Sequence, residues 1–142
     1  MGTITFTHHN VPPPLKDKLF AKAFLATVFA REQVSFKSVL FVFSTDEFLL
    51  KLNKEYLKHD TLTDILTFTL SGVSLPMVAE IYISVERVKE NAEILKVDFL
   101  NELYRVMIHG ILHLCGYNDH TTGEKQKMRK KENFYLAQSA LF

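Results

Sequence analysis

From about Asp98 to Leu114 the chain is apolar on nearly every side of a helix, with Phe99, Leu103, Val106, Met107, Ile108, Ile111 and Leu112 distributed around it. A helix without a polar face must be enclosed by other elements, so the rest of the chain has to pack around this one. One polar line crosses it at intervals of four: Asn101, Arg105, His109 and His113. Residues four apart stack on one face, so both imidazoles point into the same space. A polar group buried without a partner costs about 1–3 kcal/mol. Packing offers no reason for a whole line of such groups, whereas a metal ion and the residues that orient its ligands do.

The chain then meets Gly116, which can adopt the left-handed conformation that ends many helices cheaply. Asp119 and His120 follow at once, close enough to swing back toward the histidine face. Two imidazoles and a third donor, with one coordination position left open, make a catalytic metal arrangement. Zinc is the first expectation, because imidazole and carboxylate are its usual catalytic ligands, although affinity trends alone admit nickel, cobalt or copper. The plainer alternative is a pair of satisfied core histidines. A pair four apart would not exclude it, but the glycine turn with Asp119 and His120 weighs against it. In the zinc-protease pattern a glutamate beside the first histidine is the general base. Gly110 stands there instead, which argues against a peptidase of that mechanism. Mid-helix glycine costs up to about 1 kcal/mol against alanine, so Gly110 is expected to admit close approach by another element or by substrate. Cys115, two residues from His113, falls across the helix and reads as a small core residue.

Elsewhere the periodicity predicts strands over Thr3–Thr7, Ser38–Ser44, Asp64–Leu70 and Ala79–Val85. A first helix is expected to carry Leu15, Leu19 and Ala23 with Phe20, Phe24 and Val28, and Pro14 can occupy its first turn. A second, capped by Ser44 or Thr45, carries the stripe Phe48, Leu49, Leu52 and Tyr56. Val85, Val88, Ala92 and Leu95 mark a third. Thr121 and Glu124 form a capping-box pattern that opens a last helix running through Met128 and Tyr135. The expectation is one α+β domain over residues 1–142, a mixed sheet of about four strands packed with about five helices, the histidine helix central.

A chain of 142 residues is long enough to enclose such a helix in one core, since folding at this size buries roughly 70% of the surface. The single cysteine excludes an internal disulfide, so nothing points to an oxidising compartment. Neither a secretory signal nor a membrane-spanning run is recognisable, which leads to the expectation of a cytoplasmic protein with no membrane partner. A net charge of +1 neither demands nor excludes a polyanion. Two basic runs, Lys51, Lys54, Lys58 and His59, and Lys125, Lys127, Arg129, Lys130 and Lys131, read as solvated helix faces when taken singly. If both border the metal, they could line a groove for phosphates.

His109-Gly110, Leu112-His113-Leu114 and Gly116-Tyr117, followed by Asp119-His120, resemble the signature of the YbeY endoribonucleases. Upstream, Leu52 to Tyr56, Asp60, the stretch Thr63 to Phe68, and the strand Glu80 to Ser84 resemble further family motifs, so that the likeness spans roughly residues 40 to 135. The resemblance implies a single α+β domain and one zinc ion with three protein ligands. It also implies a single-strand-specific endoribonuclease that processes the 3′ end of small-subunit ribosomal RNA and serves ribosome quality control, with that RNA, the small subunit and ribosomal proteins as partners. Two departures bear on the site. The family's third ligand is a histidine six residues after the second; here position six is Asp119 and His120 is seventh. Keeping the spacing assigns Asp119, whereas a bulged loop assigns His120, and both are competent zinc ligands. A family arginine thought to serve catalysis falls at Leu57, and Lys58, His59 or Arg105 are the residues that could supply its charge. The leading expectation is thus a zinc-dependent phosphodiester hydrolase using His109, His113 and Asp119 or His120. The rival readings are a non-catalytic ribosome-assembly factor that contains zinc and binds RNA or a ribosomal protein, and a zinc hydrolase of smaller amides or esters.

Overall fold

The structure is a computed structural model and describes residues 2–57, 63–72 and 76–141. In chain order its elements are β1 (Thr3–His8), α1 (Lys18–Arg31), β2 (Phe36–Ser44), α2 (Asp46–Leu52), β3 (Ile65–Thr69), β4 (Met77–Ser84), α3 (Val85–Leu95), α4 (Phe99–Leu114) and α5 (Thr122–Gln138). A π-helical turn, Asn53–Leu57, continues α2. The strands form one mixed sheet in the order β1-β2-β4-β3. β1 and β4 flank β2 in parallel, and β3 joins β4 antiparallel. The expected α+β architecture, four strands and five helices among the described residues, is the one observed.

The sheet has two unlike faces because side chains alternate along each strand. On one face Val39, Phe41 and Phe43 of β2 lie beside Ala79, Ile81 and Ile83 of β4, and all six are buried. Helix α4 covers this face. A Cβ added to Gly110 would lie 2.8 Å from Ile65 Cδ1 and 3.2 Å from two carbons of Ile81. The close neighbour that Gly110 admits is therefore the sheet. The opposite face carries Tyr82 and Phe68, edge to face at 5.7 Å, with Phe48 of α2 beside Tyr82. Tyr56, expected in the α2 stripe, instead stands 66% exposed against the edge of Phe68, because the π-helical turn breaks the spacing of four.

Two features of α1 differ from expectation. The helix begins at Lys18, after Pro14, because the Asp17 side chain caps it by accepting from the Phe20 N–H at 3.0 Å. That phase buries Ala21, Phe24, Leu25, Val28 and Phe29 and leaves Leu19 on the solvent side. Leu15 still enters the core, but from the segment before the helix. Thr45 caps α2, and Thr121 with Glu124 completes the capping box of α5, both as expected, while Ser84 supplies a cap for α3 that was not anticipated. No helix among the described residues is long and apolar enough to cross a membrane.

Candidate metal centre

His109 and His113, one turn apart on α4, direct their Nε2 atoms at each other across 2.9 Å. Gly116, at φ +101°, reverses the chain behind the helix. Its N–H donates to the His113 carbonyl at 3.0 Å, and the Tyr117 N–H donates to that of Leu112 at 3.0 Å. The returning loop brings Asp119 Oδ2 to 3.2 Å from His109 Nε2 and 3.4 Å from His113 Nε2.

The other ring nitrogens determine what these three atoms can be. His109 Nδ1 lies 2.7 Å from Glu132 Oε2, and His113 Nδ1 lies 3.0 Å from the Tyr117 carbonyl oxygen. A carbonyl can only accept, and so can an ionised carboxylate, so each Nδ1 carries its ring's proton. In a neutral imidazole the Nε2 atom is then a bare lone pair. While both rings are neutral, two such lone pairs and a carboxylate oxygen, crowded within 2.9–3.4 Å, have no proton among them to share. A bound cation resolves the crowding, as does a second proton on His109 when no ion is bound. Ligands at zinc distances on a tetrahedron stand about 3.3 Å apart, close to the two carboxylate separations of 3.2 and 3.4 Å and somewhat wider than the 2.9 Å between the rings. The residues present fit a three-ligand divalent site, and orienting partners on both outer nitrogens are the usual support for one.

The surrounding charges suit the same role. Burial works against ionisation of Glu132, but hydrogen bonds from His109 and Arg105 outweigh it and hold the carboxyl below its ordinary range. Burial would lower His109, yet Glu132, with Asp119 and Asp64 adding to it, raises the ring above its usual value when no ion is bound. Beside the donors lies a cleft of about 370 Å³ whose lining includes Asp64, Arg105, Lys125, Met128, Arg129 and Glu132. Burial pushes the Asp64 carboxyl up. The same desolvation raises Glu102, whose buried Oε1 has no hydrogen-bond partner among the described residues.

The residues singled out from the sequence are distributed unevenly around this centre. His109, His113 and Asp119 are brought together. His120 is exposed, its backbone N–H donating to Glu124 Oε1 at 3.1 Å. Arg105 reaches the cleft with Nη1 held 3.0 Å from Glu132 Oε1. Of the two basic runs, the later supplies Lys125 and Arg129 to the cleft, and Lys51 and Lys54 are not among the residues lining it. Lys58 and His59 lie outside the described residues. Sequence reasoning missed Glu132 and the Tyr117 carbonyl. Glu132 had left a signal, since it occupies a place in the buried stripe of α5 with Met128, Tyr135 and Leu136, where a lone acid needs a partner.

A family model described as Endoribonuclease YbeY matches residues 7–140. Among similar proteins, the endoribonuclease YbeY of Amoebophilus asiaticus is 50% identical over 109 residues, covering 77% of this chain and 74% of that protein. That of Cytophaga hutchinsonii is 39% identical over 135 residues, covering 95% and 94%. The solution structure of TM1509 from Thermotoga maritima superposes with a TM-score of 0.65 at 27% identity, over 98% of this chain and 89% of that one. With the fold, the donor cluster and these likenesses in agreement, the chain belongs to the YbeY endoribonuclease family.

Proposed function

We propose that this protein is a zinc-dependent, single-strand-specific endoribonuclease of the cytoplasm that matures the 3′ end of small-subunit ribosomal RNA and acts in ribosome quality control. The relatives' name, endoribonuclease, supports RNA as the substrate. The observation that carries the reading is the convergence of His109 Nε2, His113 Nε2 and Asp119 Oδ2 beside a cleft with three cationic side chains.

In this reading His109, His113 and Asp119 hold the ion, and zinc suits two imidazoles with a carboxylate. A divalent ion held there supplies Lewis acidity toward a phosphoryl oxygen and makes water a stronger acid. Glu132 and the Tyr117 carbonyl keep the two rings turned so that Nε2, and not Nδ1, faces inward. Asp119 lowers the positive charge of the centre by one relative to a third histidine. Lys125 and Arg129 attract the ribose-phosphate backbone and offset charge that grows on the phosphate. Arg105 adds to that field while its Nη1 steadies Glu132. Val106 and Met128 give the cleft an apolar wall.

The test is cleavage of single-stranded RNA by the wild type and a His113→Ala variant of matched folding. Chelator-sensitive cleavage by the wild type and loss of at least a hundredfold in the variant are expected. Equal rates in both would remove the site from the reaction, and tight RNA binding without turnover would point to an assembly factor instead.

A further inference from the structure

Glu32 lies far from the histidine pair in sequence, just after the last residue of α1, and its side chain is only 7% exposed. Its Oε1 accepts from the Tyr117 hydroxyl at 2.7 Å. Its Oε2 accepts from Lys131 Nζ at 3.0 Å and from the Tyr135 hydroxyl. Burial disfavours the ionised form, but the two hydroxyls and the ammonium outweigh it and leave the carboxyl below its ordinary range. Glu32 is therefore a charged anchor on a helix end, with the Glu32 N–H donating to the Val28 carbonyl at 3.0 Å.

What it anchors is the loop that completes the metal centre. Tyr117 makes two contacts that matter: its hydroxyl reaches Glu32, and its carbonyl receives the His113 Nδ1 proton. Asp119 follows two residues later. The ammonium groups of Lys127 and Lys131 lie 5.3 and 5.4 Å from the centroid of the same ring, closing it from the α5 side. Besides the Glu32 contact, the loop between Gly116 and Thr121 is held by its own backbone turn, by the Tyr117 ring packed against the core and by the cap of α5, none of which fixes the Tyr117 hydroxyl.

We infer that Glu32 is a positioning residue of the metal centre: by holding the Tyr117 hydroxyl it sets the carbonyl that orients His113 and the path that delivers Asp119. The inference rests on the metal reading given above and goes beyond it by assigning a part to a residue on the first helix, outside the donor set and its immediate partners. A purely structural Glu32 would change stability alone. A positioning Glu32 changes how well an ion is held in protein that remains folded.

The experiment titrates Zn²⁺ by competition with a chromophoric chelator and records the visible spectrum of the Co²⁺ form. It uses the full chain with Tyr117→Phe, Glu32→Ala, the double variant and Tyr135→Phe. Loss of an orienting partner lowers metal affinity about 10- to 100-fold, and a loss at the low end is expected for Tyr117→Phe and for Glu32→Ala, with an altered Co²⁺ spectrum. The double variant should lose no more than the worse single one, since the Glu32–Tyr117 contact is already broken in either. Tyr135→Phe takes a hydroxyl from the same carboxylate without touching the loop and should bind as the wild type does. Unchanged affinity in Tyr117→Phe, additive losses in the double variant, or an equal loss in Tyr135→Phe would each overturn the inference. If Glu32→Ala does not fold, Tyr117→Phe against Tyr135→Phe decides the matter alone. A wild type that binds neither ion would overturn the metal reading itself, and this inference with it.

Discussion

At the scale of single residues, the centre is defined by where protons sit. Each imidazole donates its Nδ1 proton to an acceptor, and in the neutral rings that leaves two Nε2 lone pairs facing each other. Glu132 bears most on this, since it takes the His109 proton with one oxygen and Arg105 with the other. Replacing Glu132 with Gln keeps the volume but removes the charge, and the amide nitrogen can turn its own donor toward His109. Zn²⁺ affinity should fall about 10- to 100-fold, read by competition titration on protein whose far-ultraviolet circular dichroism is unchanged. An unaltered dissociation constant would show that His109 needs no partner. The histidine pair was legible from spacing alone because a helix repeats on its own face. Glu132 was not, since its contact spans 23 residues and depends on how α5 lies against α4.

Elements add a second kind of constraint, in which one residue sets the approach of two surfaces. Gly110 is the clearest case, because α4 rests on the sheet at a distance that leaves no room for a methyl group beside Ile65 and Ile81. Alanine is the better helix former by about 1 kcal/mol, while overpacking a core costs about 1–3 kcal/mol. The Ile65 terminal methyl can rotate aside, but Ile81 is fully buried. Gly110→Ala is therefore expected to destabilise the fold by about 1 kcal/mol net, measured by urea unfolding, and a stabilised variant would mean that the sheet yields freely. The element boundaries were legible where a cap residue announces them, as at Thr121 and Glu124. At α1 they were misjudged, because apolar residues at Leu15 and Leu19 suit a helical period that the Asp17 cap does not permit.

For the molecule as a whole, carboxylates tie distant segments together and make stability depend on acid. Asp46 at the start of α2 accepts from Ser84 Oγ at 2.7 Å and pairs with Arg87 of α3 at 2.8 Å. Burial would raise its pKa, but the bonds from Arg87 and Ser84 prevail and hold it below the ordinary value. A carboxyl lowered by folding contributes stability that is full above its unfolded pKa of about 3.9 and is lost as pH falls through the folded value. Glu32 and Glu132 are lowered too, so their contributions have the same sign. Urea midpoints should fall as pH drops below about 4. Asp46→Asn should be less stable near neutrality and lose less on acidification. An acid profile parallel to that of the wild type would exclude Asp46 from the linkage.

The amino-acid order by itself determined the enclosed helix, the two imidazoles on one of its faces, the glycine bend beyond it, and an α+β domain of about this make-up. These depend on short-range rules of period, capping and turn chemistry that operate within a few residues. Only the tertiary structure decided which nitrogen of each ring turns inward, that Asp119 Oδ2 meets both of them, that Gly110 faces the sheet, and that a carboxylate from α1 reaches the loop after α4. The contacts of Glu132, Gly110 and Glu32 join groups tens of residues apart, and Asp119 meets the rings only along the path the loop takes after Gly116, so all are set by how helices and sheet pack once the core closes.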